Sequence, residues 1–306
     1  MRKVLTVIAV IVLIVLIGAG VVQYFSDGDG PGITDDQAGP AEEVEEPLQP
    51  EWCPRVEFIS APGTWESAAD DDPFHPQANP HSFLLGVTQP LQERYAPDDV
   101  RVWTLPYSAQ FANVQNADAL SYDESREEGT NKVRERLRET HAECPLTDFA
   151  MTGFSQGAVI LGDIANEIGN HRGIIPPERV RGIALLADGR RTPDQGINPG
   201  APVGGVGAEV SLQALEGLVQ NVAPGASMRG PRDGFGALQD RTFQLCAPND
   251  PICAAPESVF DGVGRALELA NNDNAHARYG SNEEVISGTT ADQWIVSWAI
   301  DIIEAE

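Results

Sequence analysis

Basic side chains are scarce in this chain of 306 residues: 20 Lys and Arg stand against 46 Asp and Glu, a formal net charge of −26 at pH 7. Such a surface would be repelled by a phosphate backbone, so no nucleic-acid partner is expected. The acidity is read instead as solubility outside the cell. Cysteine is scarcer still, with four residues, Cys53, Cys144, Cys246 and Cys253. No C-x-x-C occurs, which argues against a zinc site, and neither a metal nor an organic cofactor is expected. Uncharged apolar stretches long enough for a bilayer are confined to the N-terminus, so a single pass is expected. With only five histidines, candidates for a general base are few.

Arg2 and Lys3 precede the uncharged run Val4 to Val22, whose one polar side chain is Thr6. At about 1.5 Å per residue this run reaches close to 30 Å, the hydrocarbon thickness. Residues 1–3 are therefore expected in the cytoplasm, 4–23 as a signal-anchor helix, and everything after it outside the cytoplasm. A cleaved signal peptide is the alternative, and it exports the chain equally. Residues 24–51 carry Asp27, Asp29, Asp35, Asp36, Glu42, Glu43, Glu45, Glu46 and Glu51 and no basic residue. Poor in large apolar groups and rich in Gly and Pro, this stretch reads as an extended, disordered tether. Residues 52–306 suit one α/β domain.

Within that domain the elements alternate. Strands are expected over Val56–Ser60, Val100–Leu105, Asp148–Gly153, Val180–Ala187 and Arg241–Cys246. Helices are expected over Ser82–Tyr95 with a break near Pro90, and over Tyr122–His141, Gln156–Ile168, Gly262–Asn271 and Ala291–Ala305. Trp294, Ile295, Trp298, Ile302 and Ile303 fall at helical spacing and read as core. Alternation with short connections predicts an α/β three-layer sandwich around a central, mostly parallel five-stranded sheet. The stretch Asp188–Leu238 departs from this pattern: it is dense in Gly and Pro, with one helix-like segment near Ser211–Val219. It reads either as a binding loop or lid, or as a disordered insertion.

The most informative feature is Gly153-Phe154-Ser155-Gln156-Gly157, set between an apolar strand and a helix. Strand, G-x-S-x-G, helix is the context of a nucleophile elbow, which lifts the serine hydroxyl above the sheet edge. Its base should follow it in the chain, which leaves His171 and His276. His171 comes at the end of the elbow helix, too far away, and reads as a C-terminal cap. His276 lies in a polar loop and is the expected base. The acid should lie between, after a late strand. Asp250, enclosed between Cys246 and Cys253, is favoured; Asp188 is the rival, with Asp194 and Asp233 less suited. Backbone N–H donors for an oxyanion are expected from Gln156 and from Thr64 in the loop after the first strand. An even cysteine count in an exported domain suggests two disulfides, and Cys53–Cys144 with Cys246–Cys253 is the expected pairing.

These residues resemble the cutinase family. The resemblance covers roughly Cys53 to Tyr279. It rests on Cys144 shortly before Gly153–Ala158, on the C-x-x-x-D-x-x-C stretch from Cys246 through Asp250 to Cys253, and on His276 downstream. It implies a serine esterase with an α/β-hydrolase core, two disulfides and a Ser155-Asp250-His276 triad, with Gln156 and Thr64 at the oxyanion positions. The anchor, the acidic tether, the Ala-Pro-Gly-Thr-Trp-Glu loop and the longer segment before Cys246 depart from polymer-degrading cutinases. They resemble the membrane-anchored cutinase-like proteins of mycolic-acid-bearing actinobacteria, for which the implied activity is phospholipase A or acyl-thioesterase action in the cell envelope. The expected partner is a lipid or acyl-ester substrate, with the N-terminal helix in the membrane and the protein a monomer. Three other readings stay open: an envelope acyltransferase, a carbohydrate deacetylase, and a catalytically silent lipid-binding or envelope interaction protein.

Overall fold

The computed structural model describes residues 49–113, 116–257 and 275–305. The expected anchor over 4–23, the tether up to residue 48 and the helix expected over Gly262–Asn271 lie outside the described residues. Among the described residues no helix is long and apolar enough to cross a membrane.

Five strands form the sheet: β1 (Val56–Ala61), β2 (Val100–Thr104), β3 (Asp148–Phe154), β4 (Val180–Leu186) and β5 (Thr242–Leu245). They lie in the order β2-β1-β3-β4-β5, and every neighbouring pair is parallel. Parallel strands bury both faces, which is why β1, β3 and β4 read as nearly unbroken apolar runs. Among the described residues six helices accompany them: α1 (Leu85–Arg94), α2 (Tyr122–Glu143), α3 (Gln156–Gly169), α4 (Ala208–Ser211), α5 (Glu216–Val222) and α6 (Ala291–Glu304). Val56 and Phe58 of β1 pack with Leu84, Leu91, Trp298 and Ile303 on one face. Ile59 packs with Val133, Leu137, Ile160 and Ile164 on the other. Each such buried side chain contributes about 1.5–3 kcal/mol. The result is the expected three-layer sandwich, with α1 and α6 on one side of the sheet and α2 and α3 on the other.

Local signals set the helix ends. Ser121 caps α2 in a capping box: its hydroxyl accepts from Glu124 N–H at 3.3 Å, and the Glu124 carboxylate accepts from Ser121 N–H at 3.0 Å. Helix α1 departs from expectation in two ways. It begins at Leu85, because Ser82–Leu84 form overlapping turns, and it runs through Pro90 without a break. Proline in a helix forfeits one backbone hydrogen bond, and the buried Val87 and Leu91 on either side hold the turn together. In α6, Ile295, Trp298 and Ile303 are buried, as core spacing requires.

The topology places the site. From β1 the chain moves outward to β2, then crosses back to β3 on the other flank of β1. The carboxyl ends of β1 and β3 therefore stand side by side, with Ala61 opposite Gly153, while their following segments diverge. Such a divergence opens a crevice, where ligands of open α/β sheets bind.

Candidate active site

Ser155 occupies the turn between β3 and α3 with φ 54° and ψ −117°. A non-glycine residue there carries strain of about 1–3 kcal/mol and needs support from its surroundings. Ser155 N–H donates to Leu186 O at 2.9 Å, tying the turn to β4. The two flanking glycines are obligatory. A Cβ on Gly157 would lie 1.9 Å from Ala61 O, and one on Gly153 would lie 2.5 Å from Gly157 O.

Three distant stretches meet at this serine. His276, in a short turn over Ala275–Ala277, has its Nε2 2.9 Å from Ser155 Oγ and its Nδ1 2.9 Å from Asp250 Oδ2. A carboxylate only accepts, so Nδ1 carries the proton and Nε2 faces the serine hydroxyl as an acceptor. Asp250 is fully buried behind the imidazole. Its Oδ1 accepts from Ile252 N–H at 2.9 Å, and its Oδ2 also accepts from Tyr279 OH at 2.7 Å. The Tyr279 hydroxyl in turn accepts from Ala247 N–H at 2.9 Å. Burial, then the Asp250 charge, pushes the Tyr279 phenol well above its ordinary range, so it stays a donor. The ring of Phe154 stacks on His276 at 5.1 Å and fixes its plane. The disulfides Cys53–Cys144 and Cys246–Cys253 are both present. The second closes the loop that carries Asp250.

The rival acid is engaged elsewhere. Asp188 is buried and holds Arg232 through both oxygens, at 2.5 and 3.2 Å. Asp233 pairs with Arg172 at the surface. His171 is exposed just past the end of α3; its backbone N–H, donating to Ile168 O at 3.0 Å, does the capping instead of its side chain.

Gln156 and Thr64 line one cavity together with Ser155 and His276. As the first residue of α3, Gln156 has an N–H without an intrahelical acceptor. Its side chain is buried, bonded to Ser125 Oγ and Gln110 O. The turn Gly63–Glu66 is tightly bonded. Gly63 N–H donates to the Glu66 carboxylate at 3.0 Å, Glu66 N–H to Gly63 O at 3.0 Å, and Trp65 N–H to Ala109 O at 2.6 Å. Thr64 N–H is the one amide of this turn with no acceptor among the described residues. A free N–H at the cavity wall beside a nucleophile is what an oxyanion requires.

The cavity measures about 830 Å³, and its walls are largely apolar. Part of that wall comes from the 188–238 stretch. Its helices α4 and α5, joined by a turn over Gln213–Leu215, set Leu212 and Val219 toward the cavity, and Met228 follows. A cluster of ion pairs roots this stretch: Arg190, Arg229 and Arg232 all reach Asp163 of α3, and Arg229 also holds Glu209. Burial alone would raise Asp163, but the three guanidiniums outweigh it and hold the carboxyl well below the ordinary range. Tyr279 and this arginine cluster carry no local sequence signal, since their partners lie far away in the chain, and the Glu66 partners Ser82 and Phe83 lie 16 and 17 residues on. Among the described residues no group of three His, Cys, Asp or Glu could hold a metal ion.

The family model described as Cutinase matches residues 52–297. A protein named carboxylesterase Culp6 homolog, from Corynebacterium glutamicum, is 54% identical over 307 residues, covering 99% of each chain. A probable carboxylesterase Culp5 of Mycobacterium tuberculosis is 30% identical over 120 residues, 39% of this chain and 56% of that one. Among solved structures, an acetylxylan esterase superposes with a TM-score of 0.50 at 14% identity, covering 82% of this chain and 99% of that one. At that identity the likeness is one of fold.

Proposed function

The chain belongs to the cutinase family, and from that premise we propose that it is a membrane-anchored serine carboxylesterase acting outside the cytoplasm on acyl esters or thioesters of envelope lipids. One observation carries the reading: Ser155, His276 and Asp250 stand in a continuous hydrogen-bonded line whose Ser155 end, with His276, lines a largely apolar cavity. The serine proton passes to His276 Nε2 while Oγ bonds to the acyl carbon. The N–H groups of Gln156 and Thr64 stabilise the oxyanion. Collapse breaks the bond to the leaving oxygen or sulfur, which takes the proton from Nε2. Water then attacks the acyl-enzyme, gives its proton to Nε2, and releases the acid as the serine regains its hydrogen. Asp250 keeps the imidazole in one tautomer and stabilises its charged form.

The lipid part of the reading is supported by the apolar wall of Phe111, Leu212, Val219 and Met228, which suits a chain longer than acetyl. The uncharged run at 4–22 supports an anchor, and the acidic tether would hold the domain off the membrane. The test uses the full-length protein. A fluorophosphonate probe should label Ser155 and fail on Ser155→Ala, whose turnover should fall by about 10³-fold or more. Turnover of p-nitrophenyl esters should persist from acetate to palmitate. Absence of labelling would refute the esterase mechanism; turnover confined to acetate would refute the lipid substrate.

A further inference from the structure

The loop that presents Thr64 does not hold itself. Trp65 sits at φ 67°, a conformation that costs a bulky residue about 1–3 kcal/mol and persists only where neighbours enforce it. The enforcement converges on one side chain. The Glu66 carboxylate accepts Gly63 N–H at 3.0 Å and Ser82 Oγ–H at 3.3 Å on Oε2, and Phe83 N–H at 3.0 Å on Oε1. One end of this clamp is the turn itself, and the other is the segment leading into α1. Two further ties complete it: Trp65 N–H to Ala109 O at 2.6 Å, and Asn79 Nδ2 to Trp65 O at 3.1 Å. The same clamp touches the base indirectly. Phe83 packs on Phe154 at 5.1 Å, Phe154 stacks on His276, and a Cβ on Gly63 would lie 2.9 Å from the Phe154 ring. Burial pushes the Glu66 carboxyl up against the lowering pull of its hydrogen bonds, the mark of an acid placed where solvent would not put it.

We infer that Glu66 is a positioning residue for catalysis: its carboxylate holds the Gly63–Glu66 turn so that Thr64 N–H points at the oxyanion. This rests on the esterase reading above. An amide of the same shape cannot substitute. The single carbonyl oxygen of glutamine serves either Gly63 and Ser82 or Phe83, and its NH2 then opposes an N–H donor. A donor displaced by about 1 Å costs on the order of 10²-fold, and a lost one 10²–10³-fold.

The experiment compares wild type with Glu66→Gln in steady-state hydrolysis of a medium-chain p-nitrophenyl ester and in inhibition by an alkyl trifluoromethyl ketone. Serine adds to the keto form of the inhibitor, and the resulting hemiketal places an oxyanion against the same donors. We expect kcat to fall about 10- to 100-fold with KM within about threefold, and Ki for the ketone to rise by a factor comparable to the loss in kcat. If Glu66→Gln does not fold, Ser82→Ala removes one clamp bond and should lower kcat and raise Ki about two- to fivefold. A folded Glu66→Gln with wild-type kcat and Ki, whatever its melting temperature, overturns the inference alone, as does a silent Ser82→Ala where only that variant folds. A wild-type enzyme untouched by the ketone overturns the oxyanion reading and this inference with it.

Discussion

The two disulfides should separate stability from activity. Each is removed by replacing both of its cysteines with alanine. A crosslink stabilises mainly by restricting the unfolded chain, and the effect grows with the logarithm of the loop it closes. Cys53 and Cys144 are 91 residues apart, Cys246 and Cys253 only 7. The chain-entropy relation then gives about 4.6 kcal/mol for the long loop and about 2.5 kcal/mol for the short one. For a domain of this size these correspond to roughly 9–18 °C and 5–10 °C in melting temperature. Activity should rank the other way. The long bridge ties the entry to β1 to the segment before β3, at the amino ends of the strands and far from Ser155. The short bridge encloses Asp250, whose backbone is otherwise held by Asp250 N–H to Ala247 O at 2.9 Å and Ala254 N–H to Asp250 O at 2.8 Å. A shift of about 1 Å in that carboxylate would cost up to 10²-fold. Thermal unfolding followed by circular dichroism, with kcat measured at 25 °C on a p-nitrophenyl ester, reads both quantities. Loss of Cys246–Cys253 should cost about 10- to 100-fold in kcat, and loss of Cys53–Cys144 less than about threefold. The reasoning is refuted if the long bridge proves the more important for kcat, or the short one for melting temperature.

Asp250→Asn should lower kcat by about 10³–10⁴-fold, because its NH2 would donate to His276 Nδ1 and leave Nε2 protonated against the serine; Asp188→Asn should instead leave kcat near wild type and destabilise by about 3 kcal/mol or more by leaving the buried Arg232 short of counter-charge, and the opposite ranking in paired kinetics and melting would move the acid. Tyr279→Phe keeps the ring and removes one of three donors to Asp250, so kcat should fall about 5- to 20-fold with KM unchanged, whereas unchanged kcat would show that the other two donors suffice. Asp163→Asn should lower stability by about 3–5 kcal/mol at neutral pH by leaving three guanidiniums short of a counter-charge. Because the folded Asp163 carboxyl is held below its unfolded value of about 3.9, the contribution is complete above that pH and is lost as acid protonates the folded form. Melting curves should therefore show a constant gap between wild type and variant from pH 7 to about pH 4, narrowing only below it; a gap that closes already at pH 6 would contradict this.

What was legible in the sequence follows a physical division. Strands β1, β3 and β4 announce themselves because burial on both faces favours apolar residues at most positions, and the elbow announces itself because only glycine fits beside Ala61 O. Chain order points to His276 and Asp250 by elimination, helped by the scarcity of histidine and by the cysteines that bracket Asp250. The break expected at Pro90 failed because packing of Val87 and Leu91 outweighs one missing hydrogen bond, and packing is not written in the local string. Asp188 is eligible as an acid by sequence because it follows a strand; its partner Arg232 lies 44 residues along the chain, in a stretch with no periodic pattern, so no spacing rule claims it.

The same blindness explains the 188–238 stretch. Its few apolar side chains are too sparse to suggest a packed element, and by composition it differs little from a disordered insertion. Its order derives from charge as well as from packing of Phe235, Leu238 and Met228: Arg190, Arg229 and Arg232 converge on Asp163, which projects from the helix that Ser155 begins. Buried ion pairs repay their desolvation only when several partners satisfy one another, so such a cluster specifies one arrangement more than it adds stability. The wall of Leu212, Val219 and Met228 is thereby referenced to the nucleophile's own helix. Variation in this stretch can reshape that side of the cavity while the Ser155–His276–Asp250 line, rooted in the sheet and the short disulfide, stays where it is.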